Sequence, residues 1–213
     1  SDLVDSRDLG DDDVARLDRD ALRVLEEAEA EVTSRSEAAT GLLRINAPFT
    51  FGILQLAPLW GQFKAQNPQV SLDITLADRL VDLVEEGYDV AIRAGHQPLP
   101  GLFSVPFMTE IIVPICHPDL LEGDRLQKPS DLTGHTLIAY DTEPLPWSEW
   151  LPQAGLTDPL STPNLHFEQM YFALQAAAEG LGVVLVPLFL VADDIIAGRL
   201  CAPFGLTAAR KRQ

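Results

Sequence analysis

Leu76-Ala77-Asp78-Arg79-Leu80-Val81-Asp82-Leu83-Val84-Glu85-Glu86-Gly87-Tyr88-Asp89-Val90-Ala91-Ile92-Arg93-Ala94-Gly95 is the stretch whose reading decides the fold. Leu80, Leu83 and Val84 fall three and four apart, which predicts one apolar face of a short helix whose other face carries Asp82, Glu85 and Glu86. Gly87 stops that helix, and Tyr88 to Arg93 reads as a short apolar-rich strand ending where Ala94-Gly95 lets the backbone turn. A helix feeding directly into a buried strand is the repeating unit of an α/β sheet.

Upstream, Leu42 to Ala47 reads as a strand, and Pro48-Phe49-Thr50-Phe51 opens a helix. Its apolar face runs through Ile53, Leu54, Leu56, Ala57, Leu59, Trp60 and Phe63 to a close at Asn67-Pro68. Val70 to Leu76 alternates with a period of two. The order β-α-β-α-β predicts a mainly parallel sheet covered by helices. Further upstream, Val14, Leu17, Ala21, Val24 and Ala28 step by three and four, predicting one long amphipathic helix over 11–36, with Asp11, Asp12 and Asp13 at the positive end of its dipole. Residues 1–10 are polar and aperiodic, read as a disordered end or an appended remnant.

Downstream, Leu102 to Pro106 and Glu110 to Ile115 read as extended, and Pro118 closes the run. The crossing into a second subdomain is expected there. Pro129 to Leu132 reads as one helical turn, Thr136 to Tyr140 and Asn164 to Phe167 as strands, and Trp147 to Ala154 as a helix. A helix from Glu168 to Ala178 ends at Gly180, Val183 to Val186 is a buried strand stopped by Pro187, and Leu188 to Ala197 is a last helix.

The 213 residues hold 15 Lys and Arg against 32 Asp and Glu, a formal charge of −17, which repels a phosphate backbone and excludes nucleic-acid binding by this segment alone. No apolar run is long enough to span a bilayer and the acidic N-terminus does not read as a secretory signal, so a cytoplasmic protein with no membrane partner is expected. Cys116 and Cys201 have apolar neighbours and lie far apart in sequence, and buried free thiols are favoured over a disulfide. His96, His117, His135 and His166 lack metal-ligand spacing, and no G-x-S-x-G elbow, phosphate loop or dinucleotide fingerprint is present. Gly180-Leu181-Gly182 has too few glycines for such a fingerprint, and Trp60, Trp147 and Trp150 read as packing residues. The expectation is a protein without catalytic residues, metal or cofactor.

Several segments resemble LysR-type transcriptional regulators in the family's order: TGLLRINAPFTFG, LAPLWGQFKAQNPQVSLDITL, DRLVDLVEEGYDVAIRAG, PICHPDLL, PSDLTGHTLIAYD, WSEWLPQAGL and FALQAAAEGLGVVLVPLFLVADDIIAGRLCAPF, with the helix ALRVLEEAEAEV before them. Trp147, Trp150 and LVADDIIAGRL are most similar to the branch of glycine-cleavage and β-lactamase-regulating activators. The resemblance implies two Rossmann-like subdomains of the type II periplasmic-binding-protein fold, preceded by a linker and dimerisation helix. Subdomain I would hold about 41–115 and about 190–213, and subdomain II about 116–189. It also implies a small-molecule effector, a homodimer or homotetramer, and promoter DNA bound through a winged helix-turn-helix absent from this chain. The family's domain continues past RLxxPF with a strand and a helix, so the short Gly205–Gln213 tail implies a truncated or missing covering element. The rival function is a solute-binding protein of a transporter, against which the acidic amphipathic helix argues.

The resemblance places the effector between the subdomains, and in open α/β sheets ligands sit beyond the carboxyl ends of strands, near helix N-termini that suit an anion. Pro48, Phe49 and Thr50 follow the first strand and Ala77 and Asp78 the second. Thr50 either caps its helix or also reaches the effector, and Asp78 either caps a helix or touches the ligand. Arg93 is either an anion partner or half of an internal ion pair. Phe167, Glu168, Gln169, Val186 and Pro187 occupy strand ends in the second half, joined by Tyr140.

Overall fold

The computed structural model describes residues 40–79, 81–95, 101–124, 126–156, 163–205 and 210–211. The expected helix over 11–36, the polar end before it and the loop carrying His96 lie outside them. The described chain falls into two compact units, the first ending at Phe107 and the second beginning at Met108.

In the first unit, β1 (Gly41–Ala47) pairs in parallel with β2 (Val70–Leu76) from Gly41↔Val70 to Ala47↔Leu76. On its other side β1 pairs in parallel with the short β3 (Val90–Ala91), through Ile45↔Val90 and Asn46↔Ala91, giving the order β2-β1-β3. The helix that follows β1 starts at Phe49–Phe51, widens into a π-helical stretch at Gly52–Leu56 and runs on as Ala57–Gln66. Gly52 sits against the end of β2, where a Cβ would stand 2.1 Å from Leu76 Cδ2, so glycine lets the helix settle on the strand.

The stretch that announced the fold is shorter in regular structure than its pattern predicts. The helix is the single turn Leu83–Glu86, and Val84 is 79% exposed, so the apolar face expected through Leu83 and Val84 is not buried as a unit. Local polar bonds hold it instead. Asp82 accepts from the backbone of Val84 and Glu85 at 3.0 and 2.9 Å, and Gly87 takes the left-handed conformation (φ 70°) that ends the turn. Arg44, reaching across from β1, donates to the carbonyls of Glu86 and Gly87 at 3.1 and 3.0 Å and lies 5.4 Å over the Tyr88 ring. The strand expected over Tyr88 to Arg93 is reduced to β3, and Leu102 to Pro106 joins no ladder.

The second unit is a mixed sheet of order β6-β5-β7-β4-β8. It comprises β4 (Ile111–Ile115), β5 (Leu137–Tyr140), β6 (Leu165–Phe167), β7 (Val183–Pro187) and β8 (Arg210–Lys211). β5 runs parallel to β6 and β7, whereas β4 is antiparallel to β7 and β8. Every residue of β5 and β7 is buried, as strands covered on both faces must be. The ladder Ile112↔Pro187 to Ile115↔Val184 and the bridge Cys116↔Cys201 place β4 and the Cys201 segment in the second unit, where the sequence pattern set the crossover after β4. Trp147 and Trp150 are fully buried, ring centroids 5.6 Å apart, with the Trp147 indole donating to the Ile138 carbonyl at 2.9 Å. Both are packing residues, as expected.

Candidate functional site

In the first unit the parallel strands deliver β1 and β2 to one edge together, since Ala47 and Leu76 are in register. Pro48 is the residue that leaves β1 and enters the helix; with φ −58° and ψ 143° it stands at the cap position without a side-chain cap. Thr50 is therefore inside the first turn and 4% exposed, so it does not cap the helix. The first free amide of that helix, Phe49 N–H, donates across to Asp78 Oδ1 at 3.0 Å. Asp78 thus serves the helix after β1 and not one that follows it in sequence. Its carboxylate also fills a place at which an incoming anion would be favoured, and would repel one there. Ala77 continues the ladder by donating to Ala47 O at 2.9 Å.

Arg93 lies just past β3 at the same edge. Its guanidinium donates to the Asn46 side-chain oxygen and, at 2.6 Å, to the Ile92 carbonyl. Burial holds Arg93 below the ordinary arginine range without threatening its charge. Among the described residues it forms no ion pair, so the internal salt bridge open from sequence is not the arrangement found. Asn46 is 0% exposed and its Nδ2 has no hydrogen-bond partner. An orphaned buried donor is costly, and an acceptor brought to that place would satisfy it. Sequence reasoning passed over Asn46; the one signal was an amide between Ile45 and Ala47 in an otherwise apolar strand end.

In the second unit Tyr140 pairs with Phe167 in register, and Val186 lies two residues beyond the last β5–β7 pair, Ile138↔Val184. The expected residues therefore gather at one edge, but with different exposure. Tyr140 is 3% exposed and its hydroxyl donates to the Leu185 carbonyl at 2.9 Å; burial, with Glu143 and Glu110 nearby, pushes its pKa well above the phenol's usual value. Val186 is fully buried and Pro187 is buried with it, whereas Phe167 and Gln169 are half-buried and Glu168 is exposed. Gln169 Oε1 is buried without a partner. Next to them Glu143 accepts from Tyr140 N–H at 3.1 Å with its pKa raised by burial, and His166 Nε2 lies 3.1 Å from Asp141 Oδ1.

A depression of about 410 Å³ lined by Asp119, Leu120, Asp131, Gly134 and His135 includes none of the expected site residues. Among the described residues no three His, Cys, Asp or Glu are grouped to hold a metal ion, and no helix is long and apolar enough to cross a membrane.

Residues 36–212 match the family described as the LysR substrate binding domain. The chain is 34% identical over 181 residues to the glycine cleavage system transcriptional activator of Escherichia coli (strain K12), covering 84% of this chain and 58% of that protein. It is 32% identical over 162 residues to the HTH-type transcriptional regulator PerR of the same strain, covering 76% and 53%. The chain thus spans somewhat over half the length of these curated relatives. Among solved structures it is similar to the effector domain of the transcriptional regulator AmpR of Pseudomonas aeruginosa, at 28% identity and a TM-score of 0.66 over 80% of this chain and 81% of that one. The LysR-type transcriptional regulator CrgA of Neisseria meningitidis aligns at 26% identity and a TM-score of 0.70, over 86% and 64%.

Proposed function

The chain belongs to the LysR-type transcriptional regulators and carries their substrate-binding domain, and from that premise we propose that it senses a small anionic metabolite, with Arg93 as the anion's partner. The fold is the periplasmic-binding-protein-like α/β architecture of LysR effector domains, and the relatives are regulators, so the transporter reading is not favoured. The family regulates transcription and is not a family of enzymes.

The observation that carries the anion assignment is the Arg93–Asn46 pair: a guanidinium with no carboxylate at ion-pair distance among the described residues, beside a buried amide with an unused donor. A carboxylate or phosphate oxygen supplies both missing partners at once. Pro48, Phe49, Thr50, Ala77 and Asp78 shape that edge in the first unit. Within the second unit, Phe167, Glu168 and Gln169 are the candidate ligand-facing residues, with Tyr140, Val186 and Pro187 behind them in that unit's core. Gln169, whose buried oxygen is unpartnered, suits a donor group on the effector, as the ammonium or hydroxyl of an amino or hydroxy acid provides.

Regulation then follows from differential binding: the effector stabilises the arrangement it fits, and that preference is passed to a DNA-binding region elsewhere in the full-length protein. A cytoplasmic homodimer or homotetramer acting on promoter DNA is the corresponding assembly. A thermal-shift screen of amino, hydroxy and aromatic acids, each beside its neutral amide, tests the anion requirement. Stabilisation by an acid and not by its amide is expected, and stabilisation by neutral amides alone would overturn it.

A further inference from the structure

Cys116 and Cys201 face each other across an antiparallel bridge at the end of β4. Cys116 N–H donates to Cys201 O at 3.0 Å and Cys201 N–H returns the bond to Cys116 O at 2.9 Å. In such a hydrogen-bonded pair the Cα atoms stand about 5.5 Å apart, inside the range of about 4.4–6.8 Å that a disulfide spans. Both thiols are free and their sulfurs are already 3.6 Å apart. The sequence has two cysteines in all, so each has one possible partner within the chain. No third metal-ligating group joins them among the described residues.

We propose that Cys116 and Cys201 form a redox modification site, a facing dithiol that a two-electron oxidant of the peroxide class closes to an intramolecular disulfide. Cys201 is the first nucleophile. It is half-buried where Cys116 is 0% exposed, and its contact with the Cys116 sulfur draws its pKa down, although in the resting dithiol its own proton can also be given to the Cys116 carbonyl at 3.4 Å. The same contact, with burial, pushes the Cys116 thiol up. The Cys201 thiolate attacks one peroxide oxygen, the O–O bond breaks, and the departing hydroxide takes up a proton and leaves as water, giving a sulfenic acid. The Cys116 sulfur then attacks that sulfur and gives up its proton, the S–O bond breaks, and a second water leaves. Two electrons pass from the sulfurs to one peroxide, and a thiol reductant reverses the reaction by exchange.

The disulfide would close a loop whose ends are 85 positions apart, tying the segment that follows Leu200 to the end of β4. Cys116 belongs to the cluster that holds Trp147 and Trp150, and Cys201 and Phe204 pack against it, so the new bond is made at the edge of the second unit's core. In a reducing compartment the pair stays open until an oxidant arrives.

The test uses the whole chain, reduced, freed of reductant, treated with a small molar excess of hydrogen peroxide and then with an alkylating agent. Intact mass and non-reducing peptide mapping should show the loss of two hydrogens, no alkylation, and one peptide pair joining Cys116 to Cys201 that dithiothreitol separates. Cys201→Ser should abolish the link. Two alkylated thiols after peroxide, a link between chains, or a sulfinic acid at Cys201 in place of the disulfide would each overturn the proposal.

Discussion

Arg93 and Asn46 are joined side chain to side chain at the end of β1, where the guanidinium donates to the asparagine oxygen, and the residue before Arg93 is held there too, its Ile92 N–H donating to the asparagine carbonyl at 2.9 Å. Asn46 therefore fixes both the chain that carries the arginine and the arginine's head. Replacing it by leucine removes the anchor and the orphaned donor together. Folding stability should change by no more than about 1 kcal/mol in urea titrations, because an unsatisfied donor is lost with the bond. Affinity for the anionic effector should fall about tenfold by calorimetry.

Asp78 and Phe49 give a prediction of opposite sign. Asp78→Ala leaves Phe49 N–H without its acceptor and should cost about 1 kcal/mol of stability, the usual scale of a lost cap. Asp78→Asn keeps an oxygen for that amide while removing a negative charge near Arg93. It should bind the anion more tightly, on the order of threefold at low salt, with the gain shrinking as salt is added. Calorimetry at two ionic strengths checks it.

Gly52 and Leu76 hold the helix on the sheet. Gly52→Ala sets a Cβ 2.1 Å from Leu76 Cδ2 and 3.0 Å from its Cγ, so the leucine or the helix must shift, at a cost of about 1–3 kcal/mol. Adding Leu76→Ala should restore part of that loss, a coupling measurable as a double-mutant cycle in thermal melts.

How much of this was readable beforehand depends on how far apart the deciding partners lie. The alternation of Val70 to Leu76, the stop at Gly87 and the run Val183 to Val186 are local signals, and each marks the element that formed, although Pro187 ends β7 from within the ladder and does not stop it one residue earlier. Leu83 and Val84 misled because a helix of one turn has too little face to bury; Asp82 and Arg44 stabilise it instead. Asn46 gave no periodic signal, and its partner is 47 positions away. Tyr140 stands at a strand end, as its place in the sequence predicts, but that its hydroxyl donates to Leu185 on the neighbouring strand needed the packed sheet. Cys116 is buried as its apolar neighbours predict while Cys201 is half-buried, and only the bridge at the end of β4 brings the two face to face. The two edges were found as strand ends; which of their groups are buried, bonded or left without a partner needed the packed chain.

Glu143 makes the second unit sensitive to pH. Burial raises its pKa above the ordinary 4.5, so the folded chain holds the proton more tightly than the unfolded one. Its contribution is fully present below that ordinary value and is lost as pH rises through the higher folded value. Glu143→Gln should therefore flatten the decline of thermal stability over the pH range just above 4.5, relative to wild type. Parallel melts of the two proteins across that range would show an unchanged slope if the carboxyl were not the cause.

The central claim is that Arg93 meets an anionic effector, and calorimetric titration of the best acid from the thermal-shift screen into wild-type and Arg93→Ala protein tests it most directly. Loss of a charge-assisted hydrogen bond predicts a weakening of about 2 kcal/mol, roughly thirtyfold in Kd, in a variant that still folds but melts lower because buried Asn46 loses its partner. Equal affinity of the two proteins for the same acid would contradict it.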